Sequence, residues 1–225
     1  MELVSCLCVT RNRAALLRRA LDCFRAQTHP ARELVVLHES DDAVTREYLA
    51  TLSLPAVRPI EVPALPKRPL GALRNLAVGA ARGRYVMQWD DDDWHGPERI
   101  AAQLAAVESS GKAGCVLRRW TIYDAVTRQA WIGAPRTWEG SLLMERFGMP
   151  AYPELPRGED TVVIRTLNDA GKLAPLDRPD LYVYVYHGAN TWARSHLRRS
   201  ILGGAEELPP EEARRIGEML GYARR

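Results

Sequence analysis

Residues 85–93 read Tyr-Val-Met-Gln-Trp-Asp-Asp-Asp-Asp, an apolar run that ends in four consecutive aspartates. We interpret residues 85–89 as a strand and the aspartates as the loop that follows it. Two earlier apolar runs also end in polar residues, at 3–9 before 10–13 and at 34–37 before 38–42. A continuous apolar run such as residues 3–9 is typical of a strand that is buried on both faces of a parallel sheet.

Helical segments separate these strands. Apolar residues recur at a helical spacing in residues 14–26, and we predict further helices up to Leu52 and over 71–81, with a shorter strand at 57–62. This alternation predicts an α/β fold with a mostly parallel wound sheet flanked by helices and joined by right-handed crossovers. Ligands of such sheets bind at the C-terminal ends of the strands. We therefore expect the polar loops after the first, second and fourth strands to share one site.

The second half of the chain is less regular. Its predicted elements are a helix from Pro97 to about residue 109, strands at 114–123, 129–132 and 181–186, a helix at 161–171, and irregular loops at 135–139 and 148–158. A last amphipathic helix follows Pro209 and Pro210, and its apolar face is predicted to carry Ala213, Ile216, Met219 and Leu220. No internal repeat occurs. We expect a single domain over 1–225, with parts at about 1–97 and 98–192 and a helical tail at 193–225.

The composition is that of an ordinary globular protein. The 225 residues include 31 Lys and Arg against 28 Asp and Glu, a net charge of +3, which is too small to predict nucleic acid as a partner. The four cysteines lack zinc-ligand spacing, and we expect buried free thiols. No stretch approaches the roughly 18 apolar residues of a membrane span, and no signal-peptide pattern occurs. We expect a cytoplasmic protein, either free or peripheral to the inner face of the membrane.

The four aspartates carry the strongest chemical signal. Adjacent carboxylates repel one another by about 1 kcal/mol per close pair even in water, so a cation is expected among them. Mg²⁺ and Mn²⁺ prefer carboxylate oxygens and keep positions for water and phosphate. The alternative is a solvated turn in which one aspartate caps the next helix. A run of four after a buried strand, followed by Trp94 and Pro97, favours the metal site.

Together with motifs elsewhere in the chain, the aspartate run resembles the family 2 glycosyltransferases of the GT-A fold. The resemblance covers roughly residues 3–190 in order. Its motifs are Thr10-Arg11-Asn12-Arg13, Glu39 to Asp42, Gly71-Ala72-Leu73-Arg74-Asn75, Gly83-Arg84-Tyr85 leading to Asp90-Asp91-Asp92-Asp93-Trp94, Gly158-Glu159-Asp160, and His187-Gly188-Ala189-Asn190-Thr191. The combination is far more specific than any one motif.

The resemblance implies a nucleotide-diphospho-sugar donor (UDP-, GDP- or dTDP-sugar) held on a divalent metal, Mn²⁺ or Mg²⁺, by the half that ends near residue 97. It assigns the metal to Asp92 and the ribose to Asp91 or Asp90. The other implied donor contacts are Thr10, Arg11, Asn12, Arg13, Glu39, Asp41, Arg74 and Asn75. Relatives carry Asp where Glu39 stands, so the base is left open. Glu39 could equally be a helix-start acid, and Asn75 part of an exposed helix face.

The second half is implied to bind the acceptor and to carry the base. By resemblance, Asp160 takes a proton from the acceptor hydroxyl in an inverting transfer, and Glu159 orients it or touches the acceptor. The alternative is helix capping by both acids. His187 is implied in the metal site, although a structural histidine is nearly as good a reading. The aromatic candidates for acceptor stacking are Trp138 and, more weakly, Tyr152, whose alternative is the core.

The basic stretch of Arg194, His196, Arg198 and Arg199 has two readings. It either closes over the donor diphosphate or forms a solvated helix face.

The sequence bears on three other functions. A phosphohydrolase would need a nucleophilic aspartate after the first strand, where Thr10 to Arg13 stand, and a nucleotidyltransferase would need a Gly-rich loop with Lys there. A non-catalytic nucleotide-sugar-binding protein would have lost the base or the metal residues, which are present. The motifs leave open which nucleotide and sugar are used, whether the acceptor hydroxyl belongs to a saccharide, a lipid-linked or another molecule, and the oligomeric state.

Overall fold

The computed structural model describes residues 1–222; the last three residues of the predicted helical tail lie outside this range. The strands are β1 (Val4–Val9), β2 (Arg32–Glu39), β3 (Val57–Val62), β4 (Tyr85–Gln88), β5 (Trp94–His95), β6 (Gly114–Arg119), β7 (Thr121–Asp124), β8 (Gln129–Ile132), β9 (Leu143–Glu145), β10 (Leu173–Asp177), β11 (Tyr182–Tyr186) and β12 (Glu206–Glu207). The helices are α1 (Ala14–Arg25), α2 (Ala43–Ala50), α3 (Leu70–Ala80), α4 (Arg99–Ser110), α5 (Glu159–Asp169), α6 (Arg194–His196) and α7 (Pro210–Met219).

A seven-stranded sheet forms the centre of the molecule, in the order β10-β6-β9-β4-β1-β2-β3. Strands β1 to β4 pair in parallel, as the alternation of strand and helix predicts. Apolar residues of β1 and β2 pack on helix α1 and on the aromatic ring of Trp89 in one continuous core. Because these strands are parallel, their C-terminal ends meet at one edge, and the prediction of an α/β wound sheet with shared polar loops is confirmed.

The second half of the chain departs from this pattern. Strand β9 runs antiparallel between β4 and β6, and a second, mostly antiparallel sheet has the order β12-β8-β7-β11-β5. The prediction of one strand over residues 114–123 is wrong, because the chain breaks at Trp120 and places β6 and β7 in different sheets. The Trp120 side chain is fully buried and stacks on Trp138, with ring centroids 4.3 Å apart. Packing of this indole therefore decides where the strand ends.

Helix α7 covers the second sheet, but not with the whole predicted face. Ala213, Gly217 and Leu220 are buried, whereas Met219 is 48% exposed, so its placement on the apolar face is wrong. At about 100° per residue, position 219 lies well off the stripe that starts at Ala213. Gly217 permits the close approach, since a Cβ there would come within 2.4 Å of the Tyr123 hydroxyl.

The structure also tests two simpler expectations. All four cysteines are buried free thiols, as predicted, and burial raises the pKa of Cys23 and Cys115 to about 11. Within residues 1–222, no helix has both the length and the apolar character needed to cross a membrane.

Candidate active site

The predicted site is a cavity of about 630 Å³ at the C-terminal ends of β1, β2 and β4. Its walls are completed by the loop before α3 and by segments 136–140, 156–161 and 190–201. The cavity is therefore built from both halves of the chain. One end faces Glu39 on β2, and we refer to it as the donor end; the other faces Asp160 at the start of α5, and we refer to it as the acceptor end.

At the donor end, Glu39 is buried and held by two cations. Its Oε2 accepts a hydrogen bond from Arg11 at 2.5 Å and contacts the Lys67 ammonium. Its Oε1 is buried and has no hydrogen-bond partner among the described residues. Arg11 also donates to exposed Asp41 at 2.8 Å. A buried carboxylate oxygen without a partner is costly unless a ligand supplies a donor.

The loop after β1 is held to the same end of the sheet. Asn12 has a left-handed backbone (φ 52°), and its N–H donates to Asp42 at 2.8 Å. The other Asp42 oxygen accepts from Thr45 and so caps α2. Asn12 thus shapes the loop, while Thr10, Arg11 and Arg13 line the cavity.

Arg13 connects two aspartates of the loop after β4. Asp91 is buried, accepts a hydrogen bond from Thr10 Oγ1 at 2.5 Å, and lies 3.4 Å from Arg13. Burial and the neighbouring Asp92 carboxylate raise the pKa of Asp91. Arg13 lies closer to Asp92, at 3.1 Å. The loop therefore holds adjacent acids in different protonation environments, which reduces the repulsion expected from the sequence.

Asp92 faces His187, which comes from the loop after β11. The His187 Nε2 lies 3.3 Å from Asp92 Oδ2, the oxygen that Arg13 also contacts. Burial opposes ionisation of Asp92, but the hydrogen bond with His187 and the charge of Arg13 outweigh it and lower its pKa. The backbone N–H of His187 donates to Asn190 at 2.8 Å, which fixes the start of the loop.

The Asp92–His187 pair fits a divalent metal. Adjacent ligand atoms of an octahedral ion with bonds of about 2.1 Å lie about 3 Å apart, close to the separation observed here. Within residues 1–222, no group of three or more His, Cys, Asp and Glu residues is placed to hold an ion. The protein would therefore supply two ligands and leave the other positions to phosphate oxygens and water, as Mg²⁺ and Mn²⁺ sites commonly do.

Asp93 ties the loop to the second sheet. Its buried carboxylate accepts a hydrogen bond from Val185 N at 2.9 Å and from the Tyr182 hydroxyl. Burial and the charges of Asp92 and Asp90 raise its pKa well above the ordinary value. One of the four consecutive acids therefore joins the two sheets together.

Beneath the cavity, Arg99 forms a buried hub that the sequence analysis missed. Its guanidinium donates to the backbone oxygens of Gln88 (3.0 Å) and Gly140 (3.2 Å) and to the side chain of Gln103 (3.1 Å), and it contacts His95. These bonds join the end of β4 to the turn after Trp138. A signal was present, because Arg99 and Gln103 lie on the same helix face as buried Ile100, Leu104 and Val107.

Arg74 connects the two ends of the cavity. Its Nη2 donates to Asp90 at 3.1 Å and its Nε to Glu159 at 2.9 Å, and all three line the cavity. Burial raises the pKa of Glu159 despite the adjacent guanidinium. Asn75, one residue further on, exchanges two 2.8 Å hydrogen bonds with the backbone of Tyr152. Neither Asn75 nor Tyr152 is among the residues that line the cavity.

The acceptor end carries acids with few fixed partners. Asp160 is half-buried, and its carboxylate accepts a hydrogen bond from Thr161 N at 2.8 Å. Glu139, which the sequence analysis missed, also lines the cavity, and burial raises its pKa. No sequence signal marks Glu139, since it lies at the end of the irregular loop predicted at 135–139. Trp138 lines the cavity beside it, and its buried Nε1 has no hydrogen-bond partner within residues 1–222.

Comparisons with known proteins agree with this architecture. The chain is similar to the succinoglycan biosynthesis protein ExoO of Rhizobium meliloti (strain 1021), with 31% identity over 100 residues, or 44% of this chain and 28% of ExoO. S. aureus TarS 1–349 in complex with UDP-GlcNAc matches the structure with a TM-score of 0.66 at 15% identity, over 97% of this chain and 65% of that chain.

A mannosyltransferase from Pyrobaculum calidifontis, PcManGT, in complex with GDP-Man and Mn²⁺, matches with a TM-score of 0.63 at 17% identity, over 88% of this chain and 61% of that chain. These likenesses establish the GT-A fold, and this chain spans less than two thirds of each of the three proteins. The sequence profile described as "Glycosyl transferase family 2" matches residues 5–163, well over half of the chain. The chain belongs to glycosyl transferase family 2.

Proposed function

We propose that the chain is a metal-dependent, inverting glycosyltransferase that moves a sugar from a nucleotide-diphospho-sugar to an acceptor hydroxyl. The observation that carries the proposal is one cavity lined by Glu39, whose Oε1 has no partner among the described residues, by Asp92 of the Asp92–His187 pair, and by the half-buried acid Asp160. Residues 1–97 supply most of the donor contacts and residues 98–192 the acceptor contacts, with His187 reaching back to the donor side.

The donor end favours a uracil or thymine base. Lys67 and Arg11 both contact Glu39 Oε2, which leaves the buried Oε1 as one acceptor without a partner among the described residues. Uracil and thymine present one imide N–H, which matches one free acceptor oxygen. Guanine presents two adjacent donors, and Oε1 alone would satisfy only one of them because Oε2 is held by the two cations. We therefore propose a UDP- or dTDP-sugar as the donor. The TarS complex with UDP-GlcNAc supports this choice. The alternative is a GDP-sugar, as in the PcManGT complex with GDP-Man.

Asp92 and His187 would hold the divalent metal, Mn²⁺ or Mg²⁺. When bound, such an ion offsets the negative charge that develops on the leaving diphosphate. Arg13, which already contacts Asp92, adds a fixed positive charge on the same side of the cavity. Asp91 is the proposed ribose contact, and its hydrogen bond from Thr10 supports this by fixing the carboxylate. The PcManGT complex with Mn²⁺ supports a metal in this fold.

Asp160 is the proposed base. Glu159 is engaged by Arg74, so its carboxylate is already used, whereas Asp160 keeps oxygen lone pairs free for a substrate. Asp160 takes the proton of the acceptor hydroxyl, the hydroxyl oxygen bonds to C1 of the sugar, and the bond from C1 to the diphosphate oxygen breaks. One displacement inverts C1 and needs no covalent intermediate. Glu159 and Arg74 position the start of α5.

Trp138 is the proposed contact for the acceptor, which we place among saccharide and lipid-linked hydroxyl compounds. Its indole stacks on Trp120 and lines the cavity, and its buried Nε1 has no hydrogen-bond partner within residues 1–222. Tyr152 packs behind the wall beside Arg74. A cytoplasmic location stays a prediction, supported by four thiols of the kind that a reducing compartment preserves.

The experiment is calorimetric binding of UDP, GDP, dTDP and CDP, each with Mn²⁺ and again with EDTA. We expect UDP or dTDP to bind with metal and to lose most of its affinity with EDTA or in Asp92→Asn. Asp169→Asn, an exposed acid outside the cavity, is the control and retains binding. Absence of nucleotide binding with metal present would overturn the proposal. Binding without turnover of a donor sugar would favour the non-catalytic alternative.

A further inference from the structure

Arg136 and Arg157 line the acceptor end of the cavity, and Arg199 lies on segment 190–201, which forms another of its walls. We call Arg136, Arg157 and Arg199 the arginine cluster. Arg136 precedes Trp138, Arg157 lies in the loop before α5, and Arg199 lies in a π-helical turn after α6. All three are exposed, and none forms an ion pair within residues 1–222.

A stacked pair of rings lies at the centre of the cluster. Trp192 and His196 stack with centroids 4.3 Å apart, and the Arg157 guanidinium lies 5.6 Å from the Trp192 ring centroid. Arg136 lines the same cavity as both rings, and Arg199 follows His196 by three residues in the chain. After burial, the charges of Arg136 and Arg199 lower the pKa of this histidine. The stacked rings therefore lie among the residues of the arginine cluster.

Three like charges gathered in this way repel each other. Glu139 and Asp160 are the acids near the cluster, and neither forms an ion pair with it in the described part of the chain. When His196 is neutral, the three arginines carry one positive charge more than Glu139 and Asp160 together can balance. An oxyanion would offset the repulsion, and a guanidinium fork matches phosphate oxygens well.

We propose that the arginine cluster is a binding site for a phosphate group carried by the acceptor. This inference rests on the proposed function. Arg157 precedes the base Asp160 by one short turn, and Arg136 precedes Trp138. We assign this phosphate to the acceptor and not to the donor diphosphate, which we assign to the Asp92–His187 pair. The acceptor is then a phosphorylated polyol or sugar, or a lipid-linked phosphate whose head group enters the same site.

The test is a titration of the protein, saturated with UDP and Mg²⁺, with glycerol 1-phosphate and with a polyprenyl phosphate in detergent micelles. The readout is the imidazole NMR signal of His196, with the distant His29 as an internal reference. We expect the His196 signal to move and that of His29 to stay.

Loss of one guanidinium should weaken phosphate binding by about tenfold, and the triple variant R136A/R157A/R199A should weaken it by far more. Binding of both probes indicates recognition of the phosphate alone, and binding of the micellar probe only indicates a membrane-held acceptor.

The exposed arginines Arg165 and Arg215 lie outside the cavity, and R165A/R215A is the matched control, expected to bind the probes as the unaltered protein does. Three results would overturn the inference. The His196 signal could stay in place with both probes, or the triple variant could bind the phosphate probes as tightly as the unaltered protein does. In the third, the triple variant would lose as much affinity for UDP as for the phosphate probes. The last result would assign the cluster to the donor diphosphate. Failure of the unaltered protein to bind UDP would instead count against the proposed function, and the phosphate titration without UDP would still report on the cluster.

Discussion

The two ends of the cavity differ in how their charges are paired. At the donor end, Glu39 is held by Arg11 and Lys67, and Asp91 by Thr10. At the acceptor end, Asp160 and Arg157 line the cavity and form no ion pair within residues 1–222. The donor end is built on strand ends of the parallel sheet, whereas the acceptor end is built on loops.

This difference indicates two ways of preparing a site. Paired charges are fixed before the ligand arrives, so they position it at little cost in reorganisation. An unpaired charge gains its partner only when a ligand binds. Such charges lie on loops, because loops can vary without disturbing the sheet. Substitutions of the paired groups should therefore reduce stability or selectivity, and substitutions of the unpaired groups should reduce activity alone.

The largest effect is expected at the acceptor end. Asp160→Asn removes the proposed base and should lower kcat for sugar transfer by about 10²–10⁴-fold. Because Asp160 forms no ion pair in the described residues, the melting temperature of the Asp160→Asn variant should stay the same or rise slightly. Transfer rate and melting temperature are measured together, with Asp169→Asn as control. A stability loss as large as that of a core substitution would contradict the claim that unpaired charges of the acceptor end affect activity alone.

Much of the donor end could be predicted from the sequence, because apolar runs mark strands and a parallel sheet brings their polar ends together. Thr10, Glu39 and Asp92 were placed at one edge on that ground. The acceptor end was less accessible, because Arg136 and Glu139 lie in the irregular loop at 135–139, whose course depends on the stacking of Trp120 on Trp138. Such packing is a tertiary effect that no local pattern encodes.

The buried hub beneath the cavity should carry the next largest effect. Arg99→Met leaves the oxygens of Gln88, Gly140 and Gln103 without donors, and we expect a loss of about 3–5 kcal/mol in the free energy of unfolding. Urea unfolding measures it. Arg165→Met, on the exposed face of α5, should cost little by comparison. Equal effects of the two substitutions would mean that the fixed donor end does not depend on this hub.

Base selectivity gives a smaller effect that sharpens the difference between the ends. Glu39→Gln keeps the size of the side chain but replaces an acceptor oxygen with an amide, and it removes the charge that holds Arg11 and Lys67. We expect UDP affinity to fall by about tenfold and the preference over GDP to shrink. Calorimetry with both nucleotides measures this, and Glu61→Gln, an exposed acid outside the cavity, is the control. An unchanged preference for UDP over GDP would show that Glu39 does not recognise the base.

The smallest effect tests whether pairing in the donor half stabilises the fold away from the cavity. Glu33 accepts hydrogen bonds from Ser5 (2.6 Å), Arg82 N (2.7 Å) and Arg58 (2.9 Å). Burial alone would raise its pKa, but these bonds outweigh burial and lower the pKa below its ordinary value of 4.5. The carboxylate is therefore more easily ionised in the folded than in the unfolded protein.

A lowered folded pKa gives stability that is fully present above the unfolded pKa and is lost as the pH falls through the folded value. Glu33→Gln should thus reduce the free energy of unfolding by about 1–2 kcal/mol at pH 7, with the gap to the unaltered protein narrowing below pH 4.5. Urea unfolding at several pH values measures the gap, and exposed Glu47→Gln serves as control. A gap that stays constant down to the acid range would show that Glu33 contributes through packing and not through its charge.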